Sequence, residues 1–145
     1  MRASHGFTLI ELLVVIALIA IGTAAVNFSL RDSAQTILER DAERLAALFE
    51  SARARSRASG VPVKWRPQAL NNNGRPSAFV FEGLPPQTLS DQWLSPQIQV
   101  ADNTVVVLGP DPIIGPQSVT LRVKDLQLWV STDGLRPFAV KRAAP

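Results

Sequence analysis

With 145 residues the chain is long enough for one domain of ordinary size with a real core. It has no Cys, no Tyr and one His, His5, which excludes disulfides, thiolate chemistry and Cys-ligated metals; if the segment before residue 7 is removed, no imidazole remains for a triad or a His metal site. The formal charge is only +3, and the pI of about 10.2 is high because almost nothing titrates between the carboxylates and the lysines, so the balance alone does not argue for nucleic acid.

Met1 to Gly6 is polar and carries Arg2. From Phe7 to Val26 the only polar interruptions are Thr8, Glu11 and Thr23, and the apolar body consists of Phe7, Leu12, Leu13, Val14, Val15, Ile16, Leu18, Ile19 and Ile21 with small residues between them. A helix over 7–26, at about 1.5 Å per residue, covers roughly 30 Å, the hydrocarbon thickness of a bilayer. Arg2 and the amino terminus lie upstream, so the positive-inside rule places the bulk of the chain outside the cytoplasm. Glu11 is the residue to explain: an acid of this kind costs roughly 2.5–3.5 kcal/mol at a membrane helix centre and less near an end, so it needs a partner.

Residues 27–59 contain no Pro and no Gly, and helix formers dominate. Leu38, Ala42, Leu45, Phe49 and Ala52 recur at alternating spacings of four and three, which draws one apolar stripe down a helix. Glu39, Arg40, Asp41, Glu43 and Arg44 fall on the remaining faces. Arg53, Arg55 and Arg57 crowd the last turns, where cations suit the negative helix end, and Gly60-Val61-Pro62 ends the helix. Arg53 and Arg57 share a face that Arg55 does not, so the three do not form one patch.

After Gly60 the pattern changes to short branched or aromatic runs: Val61 to Trp65, Phe79 to Phe81, Ile98 to Val100, Thr104 to Leu108, Val119 to Val123, Leu126 to Val130 and Phe138 to Val140. Turn residues separate them at Asn71-Asn72-Asn73-Gly74, Pro85-Pro86, Gly109-Pro110-Asp111-Pro112, Lys124-Asp125 and Asp133-Gly134. The last two turns predict a three-stranded meander over residues 119–140. Leu84 to Ser95 has no period and reads as loop. The expected fold is α+β, with one long helix whose amphipathic half packs on an antiparallel sheet.

The N-terminal segment has two plain readings, a secretory signal cut near Ala25 and a simple signal anchor. The first would have a shorter apolar core, a polar stretch before the cut and no acid inside it. Gly6-Phe7-Thr8-Leu9-Ile10-Glu11-Leu12 running into an apolar helix instead resembles the class III signal of type IV pilins and type II secretion pseudopilins. The resemblance implies that a prepilin peptidase cuts between Gly6 and Phe7, that the new N-terminal Phe7 is N-methylated, and that Glu11 is the assembly residue. It also implies a leader over 1–6, a membrane and filament-core helix over 7–26, and a periplasmic domain over 27–145, with helix over 27–59 and sheet over 61–142. Cutting creates a cationic amine on Phe7; placed near Glu11 of a neighbour, it would satisfy a charge that no intrachain group can. Helix packing would supply most of the assembly energy and this pair the register.

Asp41-Ala42-Glu43-Arg44-Leu45 and Gly60-Val61-Pro62-Val63-Lys64-Trp65 are similar to the H-type minor pseudopilins of the general secretion pathway. The lack of paired cysteines and of a membrane-helix proline departs from major type IV pilins. The resemblance implies partners in other pseudopilins, the prepilin peptidase and methylase, inner-membrane lipid and the secretion machinery. In that setting a single-pass inner-membrane subunit helps a periplasmic filament drive export as a piston. The alternative is a minor type IV pilin at a fimbrial or competence pilus tip, DNA-binding or adhesive.

The remaining candidates favour plain roles. Arg136, Lys141 and Arg142 are interleaved with no aromatic except Phe138, which a strand would bury, so a solvated tail is preferred to a nucleic-acid site. Asp102, Asp111, Asp125 and Asp133 are scattered between strands rather than spaced as a calcium loop, and read as turn residues. Trp65, Trp93 and Trp129 read as core or sheet-covering residues. Ser131-Thr132-Asp133 has no base beside it and Gly115 stands alone, so the expectation is a non-enzyme with no metal and no cofactor.

Overall fold

The computed structural model describes residues 8–68 and 78–142, and the side chains of these other than 23–32. The chain divides into two compact units, Met1–Ser33 and Ala34–Pro145. One helix, α1 (Leu9–Ser59), accounts for 51 residues, matching the expected length of about fifty. It ends where glycine permits it: Gly60 has φ of 70°, its N–H donates to the Ser56 carbonyl at 2.9 Å, and Pro62 cannot continue the helix.

In the second unit the expected stripe is the buried one. Leu38, Ala42, Leu45, Phe49 and Ala52 are all fully buried, and Ala34 and Ala46 extend the same face. Two three-stranded antiparallel sheets supply the rest of the core, where a single sheet was expected. The first has the order β2-β1-β3, from β1 (Lys64–Pro67), β2 (Phe79–Glu82) and β3 (Val106–Val107). The second is the expected meander, from β4 (Gln117–Val123), β5 (Leu126–Thr132) and β6 (Ala139–Lys141).

The division has a local cause. β3 lasts only two residues before Gly109-Pro110 and Pro112, whose missing N–H groups cannot extend a ladder. The far edge of β3 is closed by a side chain: Gln117 accepts the Val107 N–H at 2.7 Å and donates to the Val107 carbonyl at 2.9 Å. Its carboxamide thus takes the place of a neighbouring strand.

Other expected strands shift for similar reasons. Ile98 to Val100 reduces to a single bridge between Gln99 and Arg122, cut short by the turn in which the Thr104 N–H meets the Ala101 carbonyl. The first strand begins at Lys64 rather than Val61 because Pro62 has no donor, although the Val63 carbonyl still accepts from Leu108 at 2.8 Å. The last strand begins at Ala139, since the Phe138 N–H donates to the Glu50 carboxylate at 3.0 Å and not to a ladder. The expected Asn71–Gly74 turn lies outside the described residues.

Phe49 joins the helix to the first sheet and to the segment entering β6. Its ring stands edge-on to Trp65 at 5.3 Å, Phe81 at 6.5 Å and Phe138 at 4.8 Å. Trp65 is fully buried, as expected of a core residue, while Trp93 packs edge-on against Phe79 at 4.7 Å and is half-buried. A tight connection between β5 and β6 completes the meander. There Gly134 (φ +92°) passes so close to the chain that a Cβ would fall 1.8 Å from the Ile114 carbonyl oxygen. The Asp133 carboxylate accepts N–H bonds from Arg136 at 2.8 Å and Leu135 at 3.0 Å, which hold its pKa below the ordinary value and confirm a turn role for this acid.

Two polar residues of α1 depart from the expected solvated faces. Asp41 is 1% exposed and accepts the N–H groups of Leu94 at 2.8 Å and Ser95 at 3.2 Å. One turn on, Arg44 donates to the Gln92 carbonyl at 2.7 Å and the Ser90 hydroxyl at 2.5 Å. The aperiodic stretch Leu84 to Ser95 is therefore ordered by helix side chains that satisfy backbone groups no strand would reach. Asp41→Ala is expected to leave two half-buried N–H groups unpaired and to cost about 1–3 kcal/mol in urea denaturation of the full chain. A loss under about 0.5 kcal/mol would show that water replaces the carboxylate.

Arg53 is the second departure. It is 4% exposed, pairs with Glu50 at 3.3 Å and donates to the Pro112 carbonyl at 3.4 Å, so it belongs to the core and shares no solvent face with Arg57.

Candidate functional site

The first turn of α1 contains the motif. Thr8 precedes the helix and caps it: the Glu11 N–H lies 3.3 Å from the Thr8 hydroxyl and 3.1 Å from its carbonyl, and Leu12 N–H donates to the same carbonyl at 3.2 Å. Thr8 and Glu11 thus stand three residues apart as an N-cap and N3 acid, the spacing of a capping box. The signal is present in Thr8-Leu9-Ile10-Glu11, where the acid's place in an apolar run masks its second role as an N3 residue. An acid in the first turn also meets the positive end of the helix dipole, worth about 0.3–1 kcal/mol. The same geometry that starts the helix therefore lowers the cost of placing an anion there.

Glu11 is exposed, and among the described residues no cation lies within ion-pair distance of its carboxylate. Around it the helix is apolar on every side. Leu9, Ile10, Leu12, Leu13, Val14, Val15, Ile16, Leu18, Ile19 and Ile21 are all exposed, from 40% at Val15 to 82% at Leu9. Such a surface is unsuited to water on any face.

Gly6 and Phe7, the expected processing residues, lie outside the described residues, as do the side chains of 23–26 at the far end of the expected membrane segment. Among the described residues no helix is long and apolar enough to cross a membrane.

The basic tail does not gather into one site. Arg136 pairs with Asp133 at 3.6 Å, and Arg142 pairs with Glu39 at 2.9 Å. The Glu39 carboxylate, which also accepts from Gln35 at 3.1 Å, has its pKa lowered, first by Gln35 and then by Arg142. Phe138 is buried, as expected. Lys141 stands on the open face of the meander, in register with Trp129.

Residues 1–27 match the family model described as Prokaryotic N-terminal methylation motif. A motif of this class indicates a type IV pilin-like or pseudopilin-like protein. It implies processing by a prepilin peptidase with formation of an N-methylphenylalanine, anchorage in a membrane by the N-terminal helix, and assembly into pilin-like filaments. No curated protein and no solved structure matches the chain.

Proposed function

We propose that the chain is a minor pseudopilin of the H type, a structural subunit of the periplasmic filament of a type II secretion system. The observation that carries this reading is Glu11: one carboxylate in the capped first turn of a helix otherwise apolar on all sides, with no cation near it among the described residues. Cleavage after Gly6 would leave an amine on Phe7, four residues before that acid. In a filament the amine of one subunit can meet the acid of another, where lipid and neighbouring helices exclude water.

Two features favour secretion over a pilus. The chain has no cysteine to staple a C-terminal loop. Its Asp41 to Leu45 and Gly60 to Trp65 segments resemble the H type. The first of these also supplies the helix–loop clamp, through Asp41 and Arg44. The retained acid argues for a position with another subunit above it, since the outermost subunit has no amine to receive. The membrane helix then sits in the inner membrane with the two-sheet domain in the periplasm, where other pseudopilins and the secretion machinery are the partners. The chain works as a scaffold, with no catalytic group, metal or cofactor assigned to it.

Mass spectrometry of the protein purified from membranes tests the processing step. The expected N-terminus is methylated Phe7; a start at or beyond Ala25 would make the segment an ordinary signal peptide. Gly6→Val should leave the uncut precursor as the main species, and normal cutting of that variant would remove Gly6 from the recognition site.

A further inference from the structure

The meander buries one face and leaves most of the other open, Ser131 being the buried exception. Strand parity sends Val119, Leu121, Val123, Leu128 and Val130 to the core, all 5% exposed or less. On the opposite face the register sets Trp129 directly between Thr120 and Lys141, with Arg122 one pair further along β4, opposite Gln127. The next row in the other direction is small: Ser118, Ser131 and Ala139. The half-buried indole and the two exposed cations are therefore the tallest groups on this surface.

The charge of this face is one-sided. No acid occupies any of its paired positions. Four cations of the chain do pair with acids, Arg53 with Glu50, Arg66 with Glu82, Arg136 with Asp133 and Arg142 with Glu39. Among the described residues Arg122 and Lys141 make no such pair. Two strand spacings of about 4.8 Å and one two-residue step of about 6.8 Å put their Cα atoms roughly 12 Å apart, diagonally across the indole.

We propose that this face docks an extended, acidic segment of a partner protein. In an extended strand, residues i and i+4 lie about 13 Å apart on one side, with i+2 between them. Two acids at the outer positions would then meet Arg122 and Lys141, and an apolar residue at the centre would pack on Trp129. Tryptophan at the middle of a patch is the usual carrier of binding energy, while the two exposed ion pairs add register and a modest attraction. Single-stranded nucleic acid fits less well, because it calls for successive stacking platforms along a cationic track and this face offers one.

The inference goes beyond the assembly reading and does not depend on it, since the sheet face can be probed whether or not the chain enters a filament. The test is an NMR titration of isotopically labelled full-length protein in detergent micelles with the peptide acetyl-Glu-Ser-Leu-Ser-Glu-amide. Saturable shifts are expected at the Trp129 indole N–H and the amides of β4 to β6, with a Kd at or below about 1 mM. The double variant Arg122→Glu, Lys141→Glu should weaken binding at least tenfold, Arg55→Glu should not change it, and the matching lysine peptide should not bind. Absence of saturable shifts, shifts centred elsewhere, equal binding of the lysine peptide, or an unaffected double variant would overturn the proposal. Tighter binding of a short oligothymidylate at the same residues would also overturn it, making nucleic acid the occupant.

Discussion

Glu11→Ala should be cut and inserted into the membrane normally yet fail to enter the filament, its incorporation falling on the order of a hundredfold. The estimate follows from charge pairing where water is excluded: deleting one member of a buried pair strands the other at a cost of about 3–5 kcal/mol, and each 1.4 kcal/mol or so is a factor of ten. The capping geometry separates this effect from simple unfolding. Thr8 still accepts the N–H of residue 11 in the variant, so only the dipole contribution is lost, about 0.3–1 kcal/mol. Helix content should therefore hardly change by circular dichroism while the sheared filament fraction loses the subunit. Glu11→Gln, equally long but uncharged, should fail in the same way. Normal incorporation of both variants would show that no neighbour's amine waits for this acid.

Phe49→Ala should cost about 3–5 kcal/mol in urea denaturation of the full chain in detergent, the largest loss expected from truncating one side chain. Phe49 is fully buried and its ring faces Trp65 and Phe81 of the first sheet and Phe138 just before β6. A domain stable by about 5–15 kcal/mol would be left marginal. Leu135→Ala serves as the control: that side chain is 73% exposed and its loss should stay within about 0.5 kcal/mol. A Phe49→Ala penalty under about 1.5 kcal/mol would mean the aromatic cluster can collapse around the gap.

The helix was legible because its first part is apolar on every side and its second carries one stripe at a steady period of four and three. Its end was marked by Gly60 and Pro62, and the apolar period selected the residues that are buried. The meander was legible from two turns and alternating side chains. What could not be read was decided by polar side chains acting far along the chain. Asp41 and Arg44 order a loop some fifty positions away, Glu50 diverts the Phe138 N–H from its ladder, and Gln117 closes the edge of β3. Each of these residues is indistinguishable in composition from a solvated one, and only the folded chain shows what it reaches.

The candidate site divides in the same way. Glu11 stood out because a charge in an apolar run contradicts its surroundings, and Gly6 and Phe7 because the segment around it resembles the class III signal. Arg53 gave no such contradiction, although Phe49, Arg53 and Ser56 continue the buried period by four and three. Cations at the end of a helix are common, and that familiar role concealed a buried one. Trp129 and Lys141 are twelve positions apart and become neighbours only through the β5–β6 register.

The Gln117 carboxamide has a consequence for life in a crowd. Copies of a chain at high local concentration meet continually, and a bare strand margin would let them zip together sideways into disordered aggregates. By folding an amide over the Val107 backbone, the chain withdraws that invitation.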